Sequence, residues 1–253
     1  MSGHSKWAQI KRQKGANDAK RGQLFTKLGR EITIAARDGG GDPNANFRLR
    51  LAVQRARESN MPMENIDRAI KRGTGGGEGA QLEEITYEGY GAGGAAIMVQ
   101  AMTDNRNRAA GEIRSVFSRN GGNLGESGCV AWVFDSKGII SLEPGNADPD
   151  ELALLAIDAG AEDVQVEDGS IEVYTEPGDL ETVRQTLEQK KLNITNAEVT
   201  LVPKTTLDAD AKTIAQVMRL IERLEELDDV QSVHSNVDVN EEALSEYAAL
   251  ERR

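Results

Sequence analysis

GIISLEPGNADPDELALLAIDAGAEDVQVEDGSIEVYTEPGDLETVRQTLEQKKLNITNAEVTLV, residues 138–202, contains a whole α+β unit in one uninterrupted run. Its hydrophobic patterning predicts a strand over Gly138–Leu142, a helix over Pro149–Ala159, and strands over Asp163–Val166 and Ser170–Tyr174. A helix over Asp179–Lys190 and a strand over Ala197–Val202 complete it. That is the β-α-β-β-α-β order of a ferredoxin-like domain. Because the run is self-sufficient, what flanks it must be explained separately.

Upstream, Glu84–Tyr90 and Gly94–Thr103 read as a hairpin. Arg106–Asn120 reads as a helix with Ala109, Ile113, Val116 and Phe117 inward and Arg108 and Arg119 on its outer face. Cys129–Asp135 reads as a third strand with Val130, Trp132 and Phe134 on one side. A ferredoxin-like unit would need one more helix and strand, and these appear only downstream. Ala209–Leu227 carries Ile214, Val217, Met218, Ile221 and Leu224 on one stripe, and Val230–Val239 follows as a strand. The order implies insertion of one α+β domain into another. The expected division is 1–80 as a basic arm, helical domain and linker, with 81–136 and 205–240 as the split α+β domain. Residues 137–204 form the inserted domain, and 241–253 an acidic tail or helix.

The N-terminal 72 residues have the opposite charge from the rest. They hold 16 Lys and Arg against seven Asp and Glu, whereas the whole chain is −12. Clustered cations favour a polyanion partner, because they displace the counterions condensed on a phosphate backbone. The ordinary alternative is a solvated basic face on a helical bundle. Asp18–Arg37 places Leu24, Phe25, Leu28, Ile32, Ala35 and Ala36 on one stripe, with Lys27, Arg30 and Arg37 opposite. Gly39–Gly41 ends that helix and Asp42-Pro43 signals the next. There Leu49, Ala52, Val53 and Ala56 repeat at helical spacing. After Pro62 a short helix buries Ile66, Ala69 and Ile70 and points Arg68, Lys71 and Arg72 outward. Ahead of the helices, residues 1–17 hold four Lys and Arg, one His and no acid. Lys6, Lys11, Arg12 and Lys14 suit phosphates, and Trp7 either stacks on a base or packs on its own domain. The candidate nucleic-acid-binding set is therefore Lys6, Trp7, Lys11, Arg12, Lys14, Lys27, Arg30, Arg68, Lys71 and Arg72.

Catalytic signals are weak. Gly89–Gly94 matches G-x-G-x-x-G, but a β-type run follows it, so no helix N-terminus would face a pyrophosphate. Gly73–Gly79 lacks the G-K-[ST] of a phosphate loop. Cys129 stands alone, which excludes an internal disulfide, and His4 and His234 lie 230 positions apart. The sequence predicts no catalytic residue, no metal and no cofactor. No apolar run approaches a membrane span, and a cytoplasmic location is expected.

GHSKW (residues 3–7), DAKRG (18–22), FTKLGREI (25–32), GGGDPNAN (39–46) and NMPMENIDRAIKRGTG (60–75) resemble the YebC family. YEGYG (87–91), TDNRNR (103–108) and GGNLG (121–125) are similar to it as well. The likeness is dense to about Lys137 and more diffuse to Val239. Met63 stands where the family usually carries Lys, and Phe47 where it carries Pro. The resemblance implies an α+β protein of three domains with the last inserted, and kinship to the mitochondrial translational activator of cytochrome oxidase subunit I. It also implies a regulator without enzymatic activity, since such proteins are described both as DNA-binding transcriptional regulators and as ribosome-associated translation factors. Expected partners are rRNA or tRNA on the ribosome, or DNA, together with ribosomal proteins. The residues themselves lean toward RNA: a basic arm bearing one aromatic suits an irregular phosphate surface. The second and third helices make only a weak helix-turn-helix candidate. A protein–protein adaptor and a cryptic enzyme are the remaining readings. The acidic domain either keeps the chain soluble or meets basic proteins.

Overall fold

The computed structural model describes residues 18–76, 82–145, 148–167 and 170–251. In chain order its elements are α1 (Asp18–Gly39), α2 (Phe47–Glu58), α3 (Met63–Gly73), β1 (Glu83–Tyr90), β2 (Ala96–Thr103), α4 (Arg106–Arg119) and β3 (Asn123–Leu124). Then come β4 (Phe134–Glu143), α5 (Pro149–Asp158), β5 (Asp163–Glu167), β6 (Ser170–Thr175), α6 (Leu180–Gln189) and β7 (Asn193–Pro203). α7 (Ala211–Glu225), β8 (Val230–Ser235) and α8 (Glu241–Glu251) complete the chain. The chain divides into two compact units, residues 1–134 with 203–253, and residues 135–202. Among the described residues, no helix is long and apolar enough to cross a membrane.

The first three helices close around the small apolar faces that their periodicity sets. Leu28, Ile32, Ala35 and Ala36 of α1 pack with Leu49, Ala52, Val53 and Ala56 of α2, and with Met61, Ile66 and Ala69. Leu24, expected on that stripe, is exposed instead. α2 begins later than Asp42-Pro43 suggests. Asn46 is its N-cap: Oδ1 accepts the Leu49 N–H at 3.0 Å, while Nδ2 donates to the Ala35 and Gly40 carbonyls at 2.7 and 2.8 Å. One amide thus starts α2 and ties it to the end of α1. α3 approaches α1 so closely that a Cβ on Gly73 would sit 2.3 Å from the Thr33 carbonyl oxygen, a contact only glycine avoids.

The sheet of the first unit has the order β3-β1-β2-β8, antiparallel throughout. β2 and β3 flank β1 with α4 crossing between them, and the late pair α7–β8 adds its strand beside β2. α4 and α7 share one core with the sheet: Ile97 and Val99, Ile113 and Phe117, Val217 and Met218, and Val233 are all buried there. The G-x-G-x-x-G string forms the β1–β2 turn, with a 3-10 turn at Ala92–Gly94. Residues 241–251 form a packed helix rather than a tail. Ala243 and Tyr247 are buried against this core, and the Tyr247 hydroxyl donates to Glu222 at 2.5 Å.

Residues 129–135 depart from the expected strand. They form a loop and a 3-10 turn, Ala131–Val133, and β4 starts only at Phe134. Val130 and Phe134 are buried, but Trp132 is exposed. The cause lies elsewhere in the chain: the Glu88 carboxylate takes backbone N–H groups that a strand would give to a ladder.

The second unit has the order β5-β6-β4-β7, the ferredoxin-like arrangement. β6 runs antiparallel to both β4 and β5. Ile140, Leu142, Leu152, Ala156, Ile171, Val173, Leu180, Val183 and Leu187 are buried within it. Lys137 bridges Glu162 and Glu176 at 2.6 Å each, and those two hydrogen bonds raise its pKa. At the boundary the Lys204 N–H donates to the Val133 carbonyl at 2.8 Å, so the first unit releases and recovers the chain at adjacent points.

Candidate nucleic-acid interface

Two of the three cations of α1 opposite its apolar stripe, Lys27 and Arg30, are turned partly out of water, which corrects the expectation for them, while Arg37 stays exposed. A helix leaves its last carbonyls without intrahelical partners, and α1 supplies donors to those beyond α7. Lys27 donates to the Glu225 carbonyl at 2.5 Å. Arg30 donates to the Asp228 carbonyl at 2.6 Å and to the Met102 carbonyl at 3.2 Å. Gln23 donates to the Glu226 carbonyl. The negative end of the α7 dipole adds to the attraction. Arg37 donates to the Leu82 carbonyl and pairs with Asp38 at 2.8 Å. In place of a solvated face, α1 carries a row of donors that docks the helices onto the α+β domain.

Asp229 anchors this junction. Only 3% exposed, its carboxylate pairs with Arg30 at 2.7 Å and Arg108 at 2.8 Å, and accepts from the Thr103 hydroxyl at 2.8 Å. Burial alone would push its pKa up, but the Arg108 and Thr103 hydrogen bonds and the Arg30 charge more than offset this and hold it below the usual carboxylate range. Hydrogen bonds to Asp229 and to Asp104, the latter at 2.8 Å, in turn raise the Arg108 pKa.

α3 is different. Arg68, Lys71 and Arg72 are exposed, and among the described residues none has an acid or carbonyl partner. The buried pair Ile66 and Ala69 fixes the helix's rotation and turns these three outward. Arg68 and Arg72 line a cleft of about 550 Å³ together with Phe25, Arg30, Leu82 and Asp104. Lys71 lines a separate hollow of about 520 Å³ with Arg57. The structure therefore brings Arg30, Arg68 and Arg72 together, puts Lys71 to one side, and turns Lys27 onto α7. Lys6, Trp7, Lys11, Arg12 and Lys14 lie outside the described residues.

Arg57 was not singled out from sequence. Like Lys71 it is exposed and, among the described residues, without a partner, whereas Arg48 and Arg55 of the same helix pair with Glu84 and Glu31. Helical spacing puts all three arginines on polar positions, and only tertiary contacts separate them. Cys129 is a free thiol whose pKa is pushed up by burial and by the Glu88 charge, away from the thiolate form. His234 is buried on β8, its Nε2 3.0 Å from the Ser232 hydroxyl.

Comparison with known proteins accords with this architecture. Residues 5–76 match the TACO1/YebC protein N-terminal domain, and residues 82–237 match the TACO1/YebC second and third domain. A probable transcriptional regulatory protein of Moorella thermoacetica is 60% identical, covering 94% of this chain and 96% of its own. One from Herpetosiphon aurantiacus is 56% identical over 98% and 99% of the two chains. The crystal structure of a conserved hypothetical protein from Aquifex aeolicus superposes with a TM-score of 0.81 at 48% identity, covering 88% of this chain and 93% of that one. With both family domains matched in order along nearly its whole length, the chain belongs to the TACO1/YebC family.

Proposed function

We propose that this protein is a regulator of gene expression without enzymatic activity, which binds nucleic acid through α3 and acts on RNA at the ribosome. One observation carries the reading. Arg68, Lys71 and Arg72 stand exposed and, among the described residues, unpaired, while Arg30, Arg37, Arg48 and Arg55 of the same helices are taken up by acids and carbonyls. Unpaired guanidiniums lining a cleft suit phosphate oxygens, which they can grip bidentately. The basic arm with Lys6, Trp7, Lys11, Arg12 and Lys14 supplies a second set of contacts to the same polyanion.

RNA is preferred on packing grounds. α2 and α3 each pack mainly on α1 and little on each other, unlike the crossed pair that presents a recognition helix to the major groove. The name borne by the relatives, probable transcriptional regulatory protein, favours the second reading, a DNA-binding transcriptional regulator. Burial and the Glu88 charge raise the Cys129 pKa, which disfavours that one thiol as a nucleophile.

The test is a salt series of binding to ribosomes, to structured RNA and to duplex DNA. Arg68→Gln with Arg72→Gln should flatten the log–log salt slope by about 1.4 on single strands and about 1.8 on duplex, two phosphate contacts' worth. An unchanged slope overturns the α3 interface. Tighter, sequence-selective binding to duplex DNA than to ribosomes moves the conclusion to the transcriptional reading.

A further inference from the structure

The strongest unexplained feature lies on the edge of the first sheet, away from α3. Glu88 on β1 is 6% exposed, and its carboxylate accepts the N–H groups of Gly128, Val130 and Ala131 at 2.7, 2.8 and 2.8 Å. Its own carbonyl accepts the Gly125 N–H at 2.8 Å. A buried carboxylate thus fixes the loop 125–131, with two aromatic rings at the surface beside it. The Cys129 carbonyl accepts both the Tyr90 hydroxyl at 2.9 Å and the Trp132 indole N–H at 3.0 Å. Trp132 is nonetheless 69% exposed and Tyr90 40%. With both polar tips turned to one carbonyl, the rings offer a partner chiefly their faces, so recognition there is by stacking.

On the other side of this sheet edge, where α4 and α7 cover the face that Tyr87 and Gly89 share, are cations that the domain does not neutralise. Arg119 and Arg219, with Asn120, Gly121 and Gln216, line a hollow of about 310 Å³. Both arginines are exposed and, among the described residues, without an acid partner. Arg106, Arg108 and Arg223 of the same domain are each matched to a carboxylate. Gly122 links the two features. A Cβ there would lie 2.7 Å from the Tyr90 carbonyl oxygen and 3.0 Å from the Leu220 side chain, so the turn after α4 sits between the aromatic strand and α7.

We propose that this edge is a second nucleic-acid site, round which one single-stranded segment passes, held by phosphate contacts from Arg119 and Arg219 on the helix side and stacking an unpaired base on Trp132 beside Tyr90 on the other. Single strands combine repeating negative charge with accessible ring faces, whereas a duplex hides those faces in its stack. The proposal rests on the nucleic-acid reading above but uses no residue of α3.

The test isolates each half. In a Trp7→Phe background Trp132 is the sole tryptophan, and its emission should be quenched saturably by a 12-mer oligoadenylate but not by a duplex of equal length. Trp132→Leu should weaken oligonucleotide binding about 5- to 150-fold with little change in salt slope. Arg119→Gln with Arg219→Gln should instead lower the slope by about 1.4. Arg68→Gln with Arg72→Gln should leave the quenching at saturation intact. If only the α3 variant loses binding and Trp132 stays silent, this site falls and the α3 interface stands. If the wild type binds no nucleic acid, both fall. Quenching by a proline-rich peptide and not by the oligonucleotide overturns the site in favour of protein docking.

Discussion

Glu88 shows how much one side chain can settle. Burial alone would raise its pKa, yet the three N–H groups of Gly128, Val130 and Ala131 outweigh that and hold it below the usual carboxylate range. The depressed value means the charged form is favoured in the folded state, so its contribution is full above the ordinary carboxylate range and is lost as pH falls through the folded value. Glu88→Gln should cost about 1.5–3 kcal/mol, the range for hydrogen bonds to a charged group, and should loosen the loop. Urea unfolding measures the first effect. Trp132 emission, red-shifted and broadened in the variant at neutral pH and in a Trp7→Phe parent once pH falls through the depressed folded value, reports the second. An unchanged unfolding midpoint would show that the loop holds itself. None of this was legible in CVAWVFD, where Val130, Trp132 and Phe134 alternate as a strand would. Alternation reports which positions are apolar, not whether a carboxylate 40 residues upstream has claimed their N–H groups.

At the scale of elements, the apolar face of a helix was easier to read than its polar one. Ile32, Leu49, Ala52 and Ile66 are buried as their spacing predicts, because apolar residues at helical period have one favourable destination. The cations opposite had two, water or carbonyl oxygen, and nothing local to α1 shows that α7 ends beside Lys27 and Arg30. Asp229 makes that junction testable. Asp229→Asn removes the charge between Arg30 and Arg108 and should cost about 3 kcal/mol, at the lower end for breaking a buried pair because the Arg108 side chain is 43% exposed. The loss should appear as faster proteolysis within α1–α3 at native temperature, with β2 and β8 protected from hydrogen exchange. Acid should act in the same direction: the depressed Asp229 pKa stabilises docking above the ordinary carboxylate range and ceases to do so below the folded value. Equal protease sensitivity of variant and wild type at neutral pH would remove Asp229 from this role.

For the molecule as a whole, charge follows the division into units. Residues 135–202 hold 16 acidic and four basic side chains, a net −12 equal to that of the entire chain, which leaves the rest with no net charge. The strand order β5-β6-β4-β7 follows from a run of sequence that holds all six elements. The distant return of β8 to β2 was legible only because a strand and helix were missing upstream. The field of the second unit follows from composition alone and needs no contact to act. At low ionic strength it repels any polyanion that comes within a screening length of this unit. Glu151, Asp158 and Asp163 are exposed and, among the described residues, unpaired, so neutralising them leaves the packing untouched. The triple variant Glu151→Gln, Asp158→Asn, Asp163→Asn should bind RNA a few-fold more tightly in dilute buffer, chiefly through faster association. The gain should shrink as the screening length falls from about 10 Å at 0.1 M salt to about 3 Å at 1 M. Stopped-flow association rates across that series measure it. A gain that persists at 1 M salt, or a loss of affinity at low salt, would mean that these acids meet the ligand or a basic partner directly and do not act through the long-range field.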